Sequence, residues 1–157
     1  MQVIAWSENL TQDKCDEVGA RLVTKEELLE QSDFLTIHLL LSDRTRGLIQ
    51  ADDLARMKPS AFIINTSRGP IIDEPALINA LQNRKIGGAG IDVFEVEPLP
   101  LDHPLRDMPN MVIMPHLGYV TVENYQNWYG GTVENVRSWL DGKTINQMSG
   151  RNPTTPG

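Results

Sequence analysis

Short apolar runs alternate with helix-patterned segments along most of the chain, and this alternation limits the possible folds more than any other feature. The apolar runs cover residues 3–6, 34–40, 61–64, 91–94 and 111–114. Thr24 and Glu27 have capping-box spacing ahead of Leu28 and Leu29, which predicts a helix over 24–31. A second helical segment, 51–57, stops before Pro59. Asp73 offers an N-cap to a third, whose Leu77, Ile78 and Leu81 share one face and which ends near Lys85. A last helix is expected from about Thr121 to about Leu140. It contains Gly130 and Gly131, and since Gly costs about 1 kcal/mol in a helix interior, a close packing contact is expected there. Strands alternating with helices form βαβ units, hence a mostly parallel sheet with helices on both faces. The run 34–40 is apolar enough for a strand buried on both faces.

Such a sheet binds ligands beyond the carboxyl ends of its strands, so chemically useful residues should follow the apolar runs. Asn65-Thr66-Ser67-Arg68-Gly69-Pro70 directly follows one of them. The planar fork of Arg68 suits a carboxylate or phosphate, although a surface Arg in a polar loop is the simpler reading of that position alone. Asp92 lies between Ile91 and Val93 and is placed to enter the sheet layer, where a carboxylate needs a partner or takes up a proton. Glu97 opens a Pro-rich loop, 97–109, too long for a simple connector. Taken singly, Glu95 and Glu97 read as solvated charges. His116 ends another apolar run; His38 falls near the ligand edge, and His103 reads as part of a loop. The combination weighs more than its parts, because Arg68, Glu97 and His116 follow three separate strand-like runs. Reducing a 2-oxo acid needs this set: an Arg to bind the carboxylate and polarise the carbonyl, a His to protonate the developing alkoxide, and a carboxylate to orient the ring.

Composition removes several other classes. With 14 Lys+Arg against 21 Asp+Glu in 157 residues, the formal net charge is −7, which leaves no broad basic patch for nucleic acid or an anionic membrane surface. The 40% hydrophobic and 22% charged content is that of a folded protein. A lone Cys15 excludes an internal disulfide framework and fits a reducing compartment. No apolar stretch is long enough to cross a bilayer, and the first residues lack the features of a signal peptide, so a cytoplasmic address is expected. The sequence has no metal-ligand spacing and no G-x-S-x-G elbow. The polar segment 149–157, with two Pro and two Gly, is expected to be loose.

In three segments the chain resembles the D-isomer-specific 2-hydroxyacid dehydrogenases. They are Phe62-Ile63-Ile64-Asn65-Thr66-Ser67-Arg68-Gly69-Pro70-Ile71-Ile72-Asp73, Gly90-Ile91-Asp92-Val93-Phe94-Glu95-Val96-Glu97-Pro98, and Pro115-His116-Leu117-Gly118. A fourth, starting at His38, is similar too, though Leu40 stands where the family usually has Pro. The likeness runs from Met1 to about Lys143. It implies hydride transfer between a nicotinamide cofactor, NAD or NADP, and a small 2-hydroxy or 2-oxo acid. It also implies that Arg68 binds and activates substrate, that His116 is the acid/base, and that Glu97 is its carboxylate partner. Cofactor contacts are implied at Leu39, Thr66, Ser67, Arg68, Asp92, His116 and Gly118. The implied organisation is an α/β fold: an incomplete Rossmann-like doubly wound parallel sheet over 1–120, a C-terminal helix over 121–148 crossing toward a substrate domain, and a tail. A homodimer is implied as well.

The chain departs from the family pattern in two places. No G-x-G-x-x-G occurs, and Met1 falls where the family's second nucleotide-domain strand begins, so the first strand and the phosphate loop are expected to lie outside the chain. Without that loop, cofactor affinity and turnover of the chain alone are expected to be weak or absent. Missing the central strand, the chain is expected to fold poorly, to self-associate, or to pair the strands on either side of the gap. At the ribose-binding position Ser7 replaces an acid, with Glu8 adjacent, which leaves NAD against NADP open. The rival to an enzyme is a non-catalytic dimerisation or protein-binding module, of the kind the C-terminal-binding corepressors make from the same architecture.

Overall fold

The computed structural model describes residues 1–147. The expected loose segment 149–157 lies outside the described residues. The chain divides into two units, one from Met1 to Gly118 and one beginning at Tyr119.

The first unit opens with β1 (Ile4–Ala5), α1 (Gln12–Asp16) and β2 (Arg21–Leu22). It continues with α2 (Lys25–Gln31), β3 (Phe34–Ile37), α3 (Ala51–Arg56) and β4 (Phe62–Asn65). α4 (Glu74–Gln82), β5 (Gly88–Ile91) and β6 (Met111–Ile113) complete it, with short 3-10 turns at Gly69–Ile71 and Pro104–Asp107. All strand pairs are parallel. The expected single sheet is two: a pair, β1-β2, and a four-stranded sheet in the order β3-β4-β5-β6. β1 and β3 do not pair with each other, so the strands on either side of the expected gap stay apart.

Local chemistry sets the helix starts. The Thr24 hydroxyl accepts from the Glu27 N–H at 3.1 Å while the Glu27 carboxylate accepts from the Thr24 N–H at 2.9 Å, closing the capping box that opens α2. Asp73 accepts from the Ala76 N–H at 2.8 Å to start α4, and Pro75 sits in the first turn, where no N–H is required. The buried Leu29, Leu54, Leu77 and Leu81 of these helices pack on Leu35, Ile37, Ile63, Ala89 and Ile91 of the sheet. Each large buried side chain contributes about 1.5–3 kcal/mol.

Two expectations about packing are corrected. β3 alternates exposed and buried residues, so the run 34–40 is not buried on both faces and the strand ends at Ile37. The reason lies across the sheet: α2, α3 and α4 cover one face, while Phe34, Phe62 and Val112 on the other are 68%, 42% and 65% exposed. Phe34 and Phe62 stack on that open face with centroids 5.6 Å apart. The strand expected at 91–94 lies earlier, at Gly88–Ile91, because β4 and β6 on either side supply hydrogen-bond partners to a glycine-rich segment.

In the second unit, Thr121 accepts from the Asn124 N–H at 3.2 Å and caps α5 (Val122–Leu140). No residue of this helix is buried. Nothing lies within 4 Å of where a Cβ would stand at Gly130 or Gly131, so the close packing contact expected there is absent among the described residues. No helix among the described residues is long and apolar enough to cross a membrane.

Candidate active site

Four parallel strands of one direction bring their carboxyl ends to one edge of the sheet, and the singled-out residues stand along it. Arg68 follows β4, Asp92 and Glu97 follow β5, and His116 follows β6. The edge is shaped by two buried polar side chains that spend their hydrogen bonds on the backbone.

Asn65, the last residue of β4, is 1% exposed. Its amide donates to the Arg68 carbonyl at 2.9 Å and its carbonyl oxygen accepts from the Ser67 N–H at 3.0 Å. The turn that presents Arg68 is thereby closed from within. The Ser67 hydroxyl donates to the Ile37 carbonyl at 2.8 Å, tying this turn to the end of β3. Arg68 itself is exposed, and its Nη1 donates to the Ser67 carbonyl at 2.6 Å.

Asp92 is 5% exposed and finds the partners that its burial demands. One carboxylate oxygen accepts from the Leu117 N–H at 2.7 Å and the other from the Gly118 N–H at 2.8 Å. A Cβ at Gly118 would stand 2.9 Å from that second oxygen, so the residue type lets the turn close over the carboxylate. His116 immediately precedes this turn in the left-handed region, with φ +57°. The conformation is uncommon for a residue with a side chain. It is held by three bonds, from the His116, Leu117 and Gly118 N–H groups to Asp92.

His116 Nδ1 and Glu97 Oε2 are 2.7 Å apart, and each side chain is 35% exposed. The other Glu97 oxygen accepts from the Phe94 N–H at 2.9 Å. Burial pushes the Glu97 carboxyl up, but the hydrogen bonds from His116 and Phe94 and the positive charges of His116 and Arg68 outweigh it and leave it below its ordinary value. Arg68 thus acts on the pair through its field. With Nδ1 facing a carboxylate, the ring can pass a proton to a reacting oxygen from its other nitrogen, Nε2.

The remaining sequence candidates fall as follows. Leu39 is half-buried against the core, and Thr66 is exposed beside Arg68. His38 Nε2 lies 3.0 Å from the Thr36 hydroxyl. Glu8, next to Ser7, is ion-paired with Arg44. His103, read as loop from the sequence, lies 3.1 Å from Glu74 of α4, a contact no sequence spacing announces. The role of Asn65 is likewise unannounced by any spacing, and its one local signal is a polar residue ending an apolar run. A concavity of about 640 Å³ lies at the opposite, amino-end edge, between Pro59, Ile86, Met108 and Asn110, and contains none of these groups.

Comparison with known proteins finds a family for the chain. Residues 1–118 match the family described as "D-isomer specific 2-hydroxyacid dehydrogenase, NAD binding domain". The chain is 51% identical over 105 residues to a glyoxylate/hydroxypyruvate reductase B of Serratia proteamaculans, covering 67% of this chain and 32% of that protein. It is 43% identical over 127 residues to a D-3-phosphoglycerate dehydrogenase of Synechocystis, covering 81% and 23% respectively. A crystal structure of a phosphoglycerate oxidoreductase from Vibrio cholerae superposes with a TM-score of 0.82 at 35% identity, over 90% of this chain and 46% of that one. The chain therefore spans less than half the length of these relatives.

Proposed function

The chain belongs to the D-isomer-specific 2-hydroxyacid dehydrogenases, through their NAD-binding domain, and from that premise we propose that it carries the acid/base half of a site interconverting 2-hydroxy and 2-oxo acids. The observation that carries this reading is the 2.7 Å contact between His116 Nδ1 and Glu97. A nicotinamide cofactor, NAD or NADP, would supply the hydride for the C2 carbon. Its nicotinamide end fits the residues of this edge: the apolar Leu39, the exposed Thr66 and the side-chain-free turn at Gly118. The chain has no G-x-G-x-x-G, so the fit concerns that end alone.

The roles of the chain's own residues follow from their chemistry. Arg68 binds the substrate carboxylate through its planar fork and polarises the ketone beside it. His116 donates a proton from Nε2 to the alkoxide oxygen in reduction and takes it back in oxidation. Glu97 fixes the ring so that Nδ1 carries a proton toward the carboxylate and Nε2 faces the substrate, and it favours the charged ring. Asp92 holds the turn after His116, and Asn65 and Ser67 hold the turn before Arg68. We further propose that α5 leads toward a substrate-binding domain and that the assembled enzyme is a homodimer.

The test is a transplant. The corresponding segment of the Serratia reductase is replaced by this chain, and NADH- and NADPH-dependent reduction of glyoxylate and hydroxypyruvate is measured. Turnover is expected, with His116→Ala lowering kcat by about 10²–10⁴-fold, the range of general acid catalysis. A chimera that binds NADH but turns over nothing, or one indifferent to His116→Ala, would overturn the reading in favour of a non-catalytic binding module.

A further inference from the structure

The loop from Asp92 to Asn110 carries Glu97, and a connection of that length needs several attachments to hold one conformation. Some of its contacts are internal. The Arg106 guanidinium donates to the Leu99 and Pro100 carbonyls at 2.6 and 2.7 Å, and Leu99 and Leu105 are buried. The Arg106 bonds shape the loop without deciding where it sits. Besides the Asp92 bonds to the His116 turn and the Glu97–His116 contact already described, three side-chain ties among the described residues reach other parts of the unit. Asn110 donates to the Leu81 carbonyl at 3.3 Å, at the end remote from Glu97. Arg46 and Glu95 approach only to 3.9 Å, with both side chains more than half exposed. The third joins His103 Nε2 to Glu74 Oε1 at 3.1 Å, with side chains only 17% and 21% exposed.

Of these three, the tie from His103 to Glu74 is the shortest and the least exposed, and both of its ends matter. Glu74 is the first residue of α4, the helix entered directly from the Arg68 turn. His103 caps the 3-10 turn Pro104–Asp107, its Nδ1 accepting from the Leu105 N–H at 3.4 Å. A ring accepting at Nδ1 carries its proton on Nε2, so it is the donor to Glu74. The same two segments also touch nearer the site. A Cβ at Gly69 would fall 2.1 Å from the Phe94 carbonyl carbon, so the backbone after Arg68 lies directly on the backbone before Glu97.

The geometry points to Glu74 and His103 as a positioning pair: their hydrogen bond clamps the Glu97 loop to the start of α4 and so keeps Glu97 against His116 and in register with the Arg68 turn. This inference rests on reading Arg68, Glu97 and His116 as one site. Neither member touches the reacting atoms; both act through the loop.

The test uses the 157-residue chain with ¹⁵N-labelled histidine, observed at alkaline pH where imidazole is neutral. Long-range ¹H–¹⁵N spectra report which ring nitrogen of His116 carries the proton, and Glu97 selects Nδ1 in the native protein. His103→Ala and Glu74→Ala, measured well below their melting midpoints, are expected to lose that selection. His103→Gln, whose amide can still donate to Glu74, is expected to keep it. A general loss of stability would lower the melting temperature without moving the tautomer of the molecules still folded. If alanine prevents folding at both positions, His103→Asn, too short to reach Glu74, takes its place with the same expectation. Retention of the native His116 tautomer in any folded variant that lacks the bond would overturn the inference. Absence of Nδ1 selection in the unmutated chain would be a different failure, overturning the acid/base pair itself and the clamp with it.

Discussion

At the scale of single residues, the contacts of Glu97 make part of the chain's stability depend on pH. Its carboxyl is raised by burial and lowered further by His116, the Phe94 N–H and Arg68, and the lowering wins against an ordinary value of 4.5. A carboxyl whose folded pKa is depressed contributes stability that is present above its unfolded pKa and lost as pH falls through the folded one. The window therefore opens near pH 4.5 and extends downward. Glu97→Gln is expected to flatten the acid limb of the melting temperature against pH, from near pH 4.5 downward, compared with the native chain. The change is small because the side chain is 35% exposed and partly screened. Circular dichroism melts across that range check it, and identical acid limbs would contradict the assigned contacts. The positions of Arg68, Glu97 and His116 at the carboxyl edge could be read from the sequence because each follows an apolar run. Asp92 and Asn65 illustrate what could not: their hydrogen-bond partners are backbone groups that come within reach only when the turns close.

At the scale of elements, the two loops at the carboxyl edge are packed backbone to backbone. Gly69→Ala places a Cβ 2.1 Å from the Phe94 carbonyl carbon, and no flexible side chain is there to yield. It is expected to destabilise the chain by about 1–3 kcal/mol, the usual cost of overpacking. Urea unfolding checks this, and a native midpoint would show that the loops separate freely. The opposite sign is expected in α5. Since open space surrounds Gly130, Gly130→Ala is expected to stabilise the helix by about 0.5–1 kcal/mol, read as a higher helical melting temperature. The helices with strong caps, α2, α4 and α5, were legible because their starts are encoded within four residues. α1 and β2 were not, because residues 12–22 lack a clear period and β2 is fixed by pairing with β1. β5 was displaced because Gly88, Ala89 and Gly90 have little strand propensity of their own.

At the scale of the whole molecule, the described surface exposes large apolar side chains in groups, and such groups favour association. One face of the four-stranded sheet exposes Phe34, Phe62 and Val112, and α5 independently exposes Tyr125, Trp128, Tyr129 and Trp139. β3 pairs on one side only, leaving a row of backbone groups open. The purified chain is therefore expected to self-associate with rising concentration in sedimentation velocity. A monomer that melts in one sharp transition would contradict this.

The sequence alone determined the parallel α/β class, the order of the main elements and the side chains offered at the carboxyl edge, because periodicity and caps are local and strand ends are where such sheets place chemistry. Only the tertiary structure decided that the strands split into two sheets, that one face stays open, and that His103 meets Glu74. Those outcomes depend on which distant segments come together in space, a matter of long-range packing that no short window of residues contains.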